Sequence, residues 1–229
     1  QTMRTNTLTL FSLFIVATIL FGCKKQDWNV TIQSQVQFKA STDEITIAGK
    51  QFVMDEIRID LSDIRIAGDR IQSNPIDIVL ADNASTDFLH ATSVKPFDLP
   101  IGTYTQMSFS TTIESNGSPS VNISGTYDLA NGNTYDVVIA LEIDQDIITL
   151  LTDSDGSNTI LIEEDSQKTI AITLDTEILF SNLIPGLWNA AAVTNNNGSQ
   201  TIQVDALNNT NIYNAINNKV GESFVVQLQ

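Results

Sequence analysis

The chain has 229 residues with 27 acidic and 11 basic side chains, a net charge of −16 and a sequence pI near 4.1. That balance repels nucleic acid, and no basic cluster stands anywhere except Lys24-Lys25. The single cysteine, Cys23, leaves no disulfide to form, so a domain of about 200 residues must be held by its packed core, which that length can supply.

In chain order, Met3 and Arg4 give a short positive start, and Leu8 to Phe21 (LTLFSLFIVATILF) runs fourteen residues without a charge. Spanning a bilayer takes about 20 apolar residues. The run is too short for that and fits the apolar core of a secretory signal. Its end, Leu20-Phe21-Gly22-Cys23, resembles the lipobox of bacterial lipoproteins, with Phe21 where that family usually has a small residue. The resemblance covers residues 3–23. It implies cleavage between Gly22 and Cys23, a diacylglyceryl group on the Cys23 thiol, and acylation of the new amine. Residues 1–22 are then a signal peptide, 23–29 a tether and 30–229 a single domain. Each buried methylene contributes about 0.8 kcal/mol, so three long chains would hold the protein on a membrane. In that family an Asp directly after the cysteine often retains the protein at the inner membrane. Lys24 stands there instead, which implies the outer membrane, with its periplasmic or cell-surface face left open.

Period-two patterns fill most of the remainder. Val30 to Phe38 alternates, and Glu44 to Ile47 and Gln51 to Met54 are short strand candidates. In EIRIDLSDIRIAGDR, Glu56 to Arg70, the apolar set moves from odd positions (Ile57, Ile59, Leu61) to even ones (Ile64, Ile66). One face can hold both sets only if an extra residue intervenes, which predicts a β-bulge or bend at Ser62-Asp63. Ala67-Gly68-Asp69 is then expected to turn, and Ile76 to Leu80 to form a strand. In FDLPIGTYTQMSFSTTI, Phe97 to Ile113, Pro100 and Gly102 predict a tight turn before a strand bearing Met107, Phe109 and Ile113. Val121 to Tyr127 follows. Tyr135 to Asp144 sets Tyr135, Val137, Ile139, Leu141 and Ile143 on one face against Asp136, Glu142 and Asp144 on the other. Ile147 to Leu151, Thr159 to Ile162 and Thr169 to Leu174 are further strands. Turns are expected at Gly117 with Pro119, at Asn131 to Asn133 and at Asp153 to Gly156.

The C-terminal part changes character. Glu177 to Val193 reads as helix in pieces, broken near Pro185-Gly186, and Thr194 to Gln200 (TNNNGSQ) as a solvated loop. Ile212, Ile216 and Val220 form an apolar stripe at helical spacing, capped by Thr210 or Asn211 and closed by Gly221. Phe224 to Leu228 is a final strand. The expected fold is all-β: an antiparallel β-sandwich with short helices, about 177–221, packed on it. LPIGTYTQMSF, Leu99 to Phe109, resembles the strand-turn-strand unit of transthyretin-like β-sandwich domains, which many bacterial envelope lipoproteins carry. The resemblance implies an immunoglobulin/transthyretin-like sandwich and no activity.

Few groups here can carry catalysis. His90 is the sole histidine, no Gly-x-Ser-x-Gly elbow accompanies it, and it is expected in a surface loop. An acylated Cys23 is no nucleophile, and zinc favours several His or Cys ligands. Asp60 with Asp63, Asp144 with Asp146, and Glu163-Glu164-Asp165 are the candidates for a glycosidase-type acid and base. Asp153, Asp155 and Asn158 with Gly156 echo part of a calcium loop, but its third acidic position and later Glu are missing. A polar hairpin turn is the favoured reading, and no metal or cofactor is expected. Trp28, in the tether, and Trp188, among apolar residues, are the side chains available to stack on sugar rings, although core packing suits Trp188 better. The favoured function is a non-enzymatic binding or accessory subunit, lipid-anchored in the outer membrane and working with other envelope proteins. The alternatives are a surface glycan- or ligand-binding lipoprotein and an envelope hydrolase using a carboxylate pair.

Overall fold

A computed structural model of the chain describes residues 30–229 apart from 91–93, 116–117, 129–132, 154 and 197. Gly22, Cys23 and Trp28 lie outside the described residues, as do the turn residues 131–132 and Gly117. Where apolar residues alternate, the backbone is strand: β1 Thr31–Ala40, β2 Glu44–Ile47, β3 Lys50–Arg70, β4 Ile76–Asp87, β5 Val94–Pro100, β6 Gly102–Ile113 and β7 Val121–Asp128. The series continues with β8 Thr134–Leu141, β9 Gln145–Leu150, β10 Thr159–Ile162 and β11 Thr169–Leu174. Then come α1 Thr176–Leu179, α2 Pro185–Asn189, β12 Val193–Asn196, β13 Ser199–Val204, α3 Thr210–Asn217 and β14 Phe224–Leu228.

The fold is an all-β sandwich with a few short helices. A four-stranded sheet, β14-β11-β1-β5, faces a ten-stranded sheet that runs β10-β6-β3-β7-β8-β13-β12, with β2 and β4 also on β3 and β9 also on β6. Pairing is antiparallel except for β1 with β11 and β8 with β13, which are parallel. Parallel neighbours need long crossovers, and here these bring distant parts of the chain into each sheet. The inner faces of both sheets belong to one buried apolar cluster that includes Val36, Phe38, Leu99 and Ile172 on one side and Ile59, Ile64, Phe109 and Ile139 on the other.

β3 is the spine. Its first half pairs with β2 and β7, its second half with β4 and β6. One strand serves four partners because it bends. At the expected place, Asp63 takes φ 52° and the register slips between Ser62 and Arg65. Ile57, Ile59, Leu61, Ile64 and Ile66 are consequently all buried. β6 uses the same device at Gln106, φ 55°, so that Tyr104 and then Met107, Phe109 and Ile113 all face inward.

Several expectations change. Ala67-Gly68-Asp69 is not a turn but the end of β3. Gly68 stands there because a Cβ would lie 3.3 Å from Met107 Cα and from the Tyr104 ring. The turn comes afterwards, between Arg70 and Ile76, with Gln72 at φ 62°. Residues 194–200 are not a free loop but part of the β12–β13 hairpin, so the stretch about 177–221 is only partly helical. The cap of α3 is Asn209, not Thr210 or Asn211. Its side chain bonds Ala192 and Gln203 rather than the helix. Gly221 opens a 3₁₀ turn, Gly221–Ser223, rather than closing the helix, whose C-cap is Asn218.

Pro100 to Gly102 is not a β-turn but a direct passage between sheets: Ile101 alone carries the chain from β5 in the small sheet to β6 in the large one. The Tyr104 hydroxyl pins it, donating to the Pro100 carbonyl at 2.5 Å. The helices cover the part of the large sheet around Phe52. Trp188 of α2 and Phe180 after α1 pack on that ring at 6.3 and 5.8 Å, and Trp188 meets Tyr127 edge-on at 5.2 Å. Pro185 takes the first position of α2, where its missing N–H costs nothing.

Candidate functional site

A cleft of about 300 Å³ opens where β3, β4 and the end of β6 meet, lined by Asp60, Asn83, Ser85, Glu114 and Ser118 and by apolar surface that includes Leu61 and Ala84. The strands position it by register. Asp60 lies between the core residues Ile59 and Leu61, so it turns outward, opposite Ser85 of β4. Leu61 pairs with Ile113, which brings Glu114 beside Asp60, and the Glu114 N–H donates to the Asp60 carbonyl at 3.4 Å. Two carboxylates, an amide and two hydroxyls suit a hydroxylated or cationic ligand. They do not form a nucleophile paired with a base.

The carboxylates paired by sequence are dispersed. Asp60 lines this cleft, whereas Asp63 sits on the bulge beside Arg65 at 3.4 Å. Asp144 accepts the Ser115 N–H at 2.8 Å, while Asp146 accepts the Thr112 hydroxyl at 2.7 Å. Glu163 to Asp165 belong to a turn closed by Ser166, whose hydroxyl donates to the Glu163 carbonyl at 2.7 Å. The carboxylates that share the cleft are Asp60 and Glu114. Sequence reasoning named Asp60 but paired it with Asp63; the pairing of Leu61 with Ile113 is what brings in Glu114.

His90 is exposed just after β4, its Nδ1 2.9 Å from Asp87 Oδ2. Burial would raise the Asp87 carboxyl. Hydrogen bonds from His90 and Leu89 outweigh that and hold it below the usual carboxylate range. The His90 N–H also donates to Asp87 Oδ1 at 3.2 Å, so backbone and ring both tie this loop to Asp87. The Asp153–Asn158 stretch is a turn: the Gly156 N–H donates to the Asp153 carbonyl at 2.8 Å and the Ser157 N–H to Asp155 Oδ1 at 2.8 Å. Among the described residues no group of three His, Cys, Asp or Glu side chains is placed to hold a metal ion.

Trp188 is 2% exposed and is a core residue, not a sugar platform. Its indole N–H lies near the Tyr127 hydroxyl in a geometry that makes no hydrogen bond, and that hydroxyl donates instead to the Ile47 carbonyl. Burial pushes the Tyr127 hydroxyl above its ordinary pKa. Compared with protein-family models, with curated proteins and with solved structures, the chain matches none.

Proposed function

We propose that the chain is a non-enzymatic binding or accessory protein of the bacterial cell envelope, held on the outer membrane by lipid on Cys23. The observation that carries this is Leu20-Phe21-Gly22-Cys23 directly after a fourteen-residue run without charge. The fold is suited to such a tether. β1 starts at Thr31 and is an interior strand of the small sheet, flanked by β11 and β5, so a pull on the chain is shared with both neighbours. Lys24 to Asn29 are six residues, a reach of at most about 20 Å when fully extended. The end of the sandwich that holds Val30, whose carbonyl accepts the Ile101 N–H at 2.9 Å, then faces the bilayer. The cleft of Asp60 and Glu114 favours ligand binding as the more specific form of this reading.

The test is fractionation of cells carrying Cys23→Ser, with mass spectrometry of the wild-type N-terminus. The expected outcome is a diacylated, N-acylated Cys23 in the wild type and release of the variant from the membrane. Unchanged membrane association of the variant, or an unmodified thiol, overturns the anchor.

A further inference from the structure

Among the described residues β9 has a single strand partner. It pairs with β6 from Gln145 opposite Ile113 to Leu150 opposite Ser108, and no strand among the described residues takes its other edge. The Leu151 N–H donates to the Met107 carbonyl at 2.8 Å, which continues the register of Thr149–Phe109 and Ile147–Thr111. Those are therefore the pairs that exchange hydrogen bonds. The alternate residues Asp146, Ile148 and Leu150 turn their N–H and C=O groups to the open edge.

Open edges are usually blunted by charge, proline or a bulge. β9 instead presents Ile148 at 73% and Leu150 at 59% exposure. The row Val79–Arg65–Ser110–Ile148 runs straight across four strands, so Ile148 forms its end at the sheet edge. Beside the edge lies a slot of about 290 Å³, walled by Gln145, Asp146 and Ile148 on one side and by Asn218, Gly221 and Glu222 on the other. The 3₁₀ turn packs on the Gln145 end of β9, and the slot runs from there past Ile148 to Thr149.

Charge says what kind of chain. Asp144 precedes β9, Asp146 lies within it and Glu222 walls the slot. The nearby cations are engaged: Lys219 pairs with Glu222, and Arg65 with Asp63 and Asp77. A second copy could pair antiparallel about Ile148, but it brings the same carboxylates and a further net charge of −16. We propose that the open edge of β9 is a strand-addition site for an extended cationic segment of another envelope protein, with apolar and basic side chains in alternation. This rests on the binding reading above and names its partner. Main-chain bonds to Asp146, Ile148 and Leu150 supply affinity, and the alternation supplies selectivity, since every second side chain meets the same face.

The experiment uses the full chain purified in detergent. The probe is an N-acetylated peptide alternating lysine with valine; its glutamate–valine counterpart is the control. The lysine peptide is expected to slow amide hydrogen exchange at Asp146, Ile148 and Leu150 at least tenfold, and the control is expected to have no effect. Ile148→Pro should weaken peptide binding at least tenfold, because its N–H points out of the sheet and proline is tolerated at such edge positions. Ile148→Lys should do the same by repulsion and covers the case in which the proline variant folds poorly. Unprotected edge amides, equal binding of both peptides, or full binding by Ile148→Lys overturns the proposal. So does protection of the same amides by concentration-dependent dimerisation without peptide, which would make the occupant a second copy. The Cys23→Ser fractionation tests the anchor separately, and none of these results bears on it.

Discussion

Gly125 offers the sharpest test of how β3 and β7 are packed. It faces Met54, next to the slip in register between Met54 and Glu56. A Cβ at this position would sit 2.1 Å from the Val53 carbonyl oxygen, 2.9 Å from Met54 Cα and 3.0 Å from the Phe52 ring. A carbon normally stays about 3.3 Å from a carbonyl oxygen, so Gly125→Ala falls short by roughly 1 Å. The nearest two obstacles are backbone, so no side chain can rotate away; the strands must separate. Overpacking of this kind costs about 1–3 kcal/mol, and weakening one or two ladder hydrogen bonds adds about 1 kcal/mol each. The expected loss is about 2–5 kcal/mol, which lowers the urea midpoint by about 1–2.5 M for a slope of about 2 kcal/mol per M. Gly186→Ala is the control. It is the same substitution on α2, where a Cβ meets nothing within 4 Å, and it should be neutral or stabilise by up to about 1 kcal/mol. A Gly125→Ala midpoint indistinguishable from wild type would refute the reasoning.

Trp188→Ala should destabilise by about 3–5 kcal/mol in the same urea assay, because the ring joins α2 to Phe52 and Tyr127. The Tyr104 hydroxyl is pushed up to about 12 by burial, with Arg70 opposing. Its folded pKa thus lies above the unfolded value of about 10, so its contribution is complete below about pH 10 and is lost as pH rises towards 12. Absorbance titration should show Tyr104 and Tyr127 titrating late, with the component near 12 removed by Tyr104→Phe, and that variant should lose about 1 kcal/mol at neutral pH. Burial would raise the Asp205 carboxyl, but hydrogen bonds from Asn208, Leu207 and Gln203 outweigh it and hold it low. Its stabilisation is therefore present above about pH 4 and is lost as pH falls through the lowered folded pKa. Asp205→Ala should show a shallower acid loss of stability, measured by urea midpoints against pH.

Much of the fold was legible because a strand's side-chain period is two, and two is countable along one chain. Glu44 to Ile47, Thr159 to Ile162, Thr169 to Leu174 and Phe224 to Leu228 have the same limits in the structure. The change of parity at Ser62-Asp63 announced the bulge for the same reason. Gly68 was misread because glycine answers two needs, a turn or a close approach, and only the position of Met107 separates them. The β12–β13 hairpin was hidden because its polar residues bury little of one face, and its pairing with β8 spans more than sixty residues. The cleft of Asp60 and Glu114 and the open edge of β9 were equally invisible, since each depends on which strands lie beside β3 and β6.

By itself, then, the order of residues determined most of the strand segments, where the longest one bends, and the apolar run that ends at the lone thiol. These are local matters, settled by neighbours a few positions apart. Only the folded arrangement decided which edge stays unpaired among the described residues and which carboxylates share a cleft. Those outcomes depend on register between segments far apart in the chain, and register is chosen by burying all the apolar faces at once.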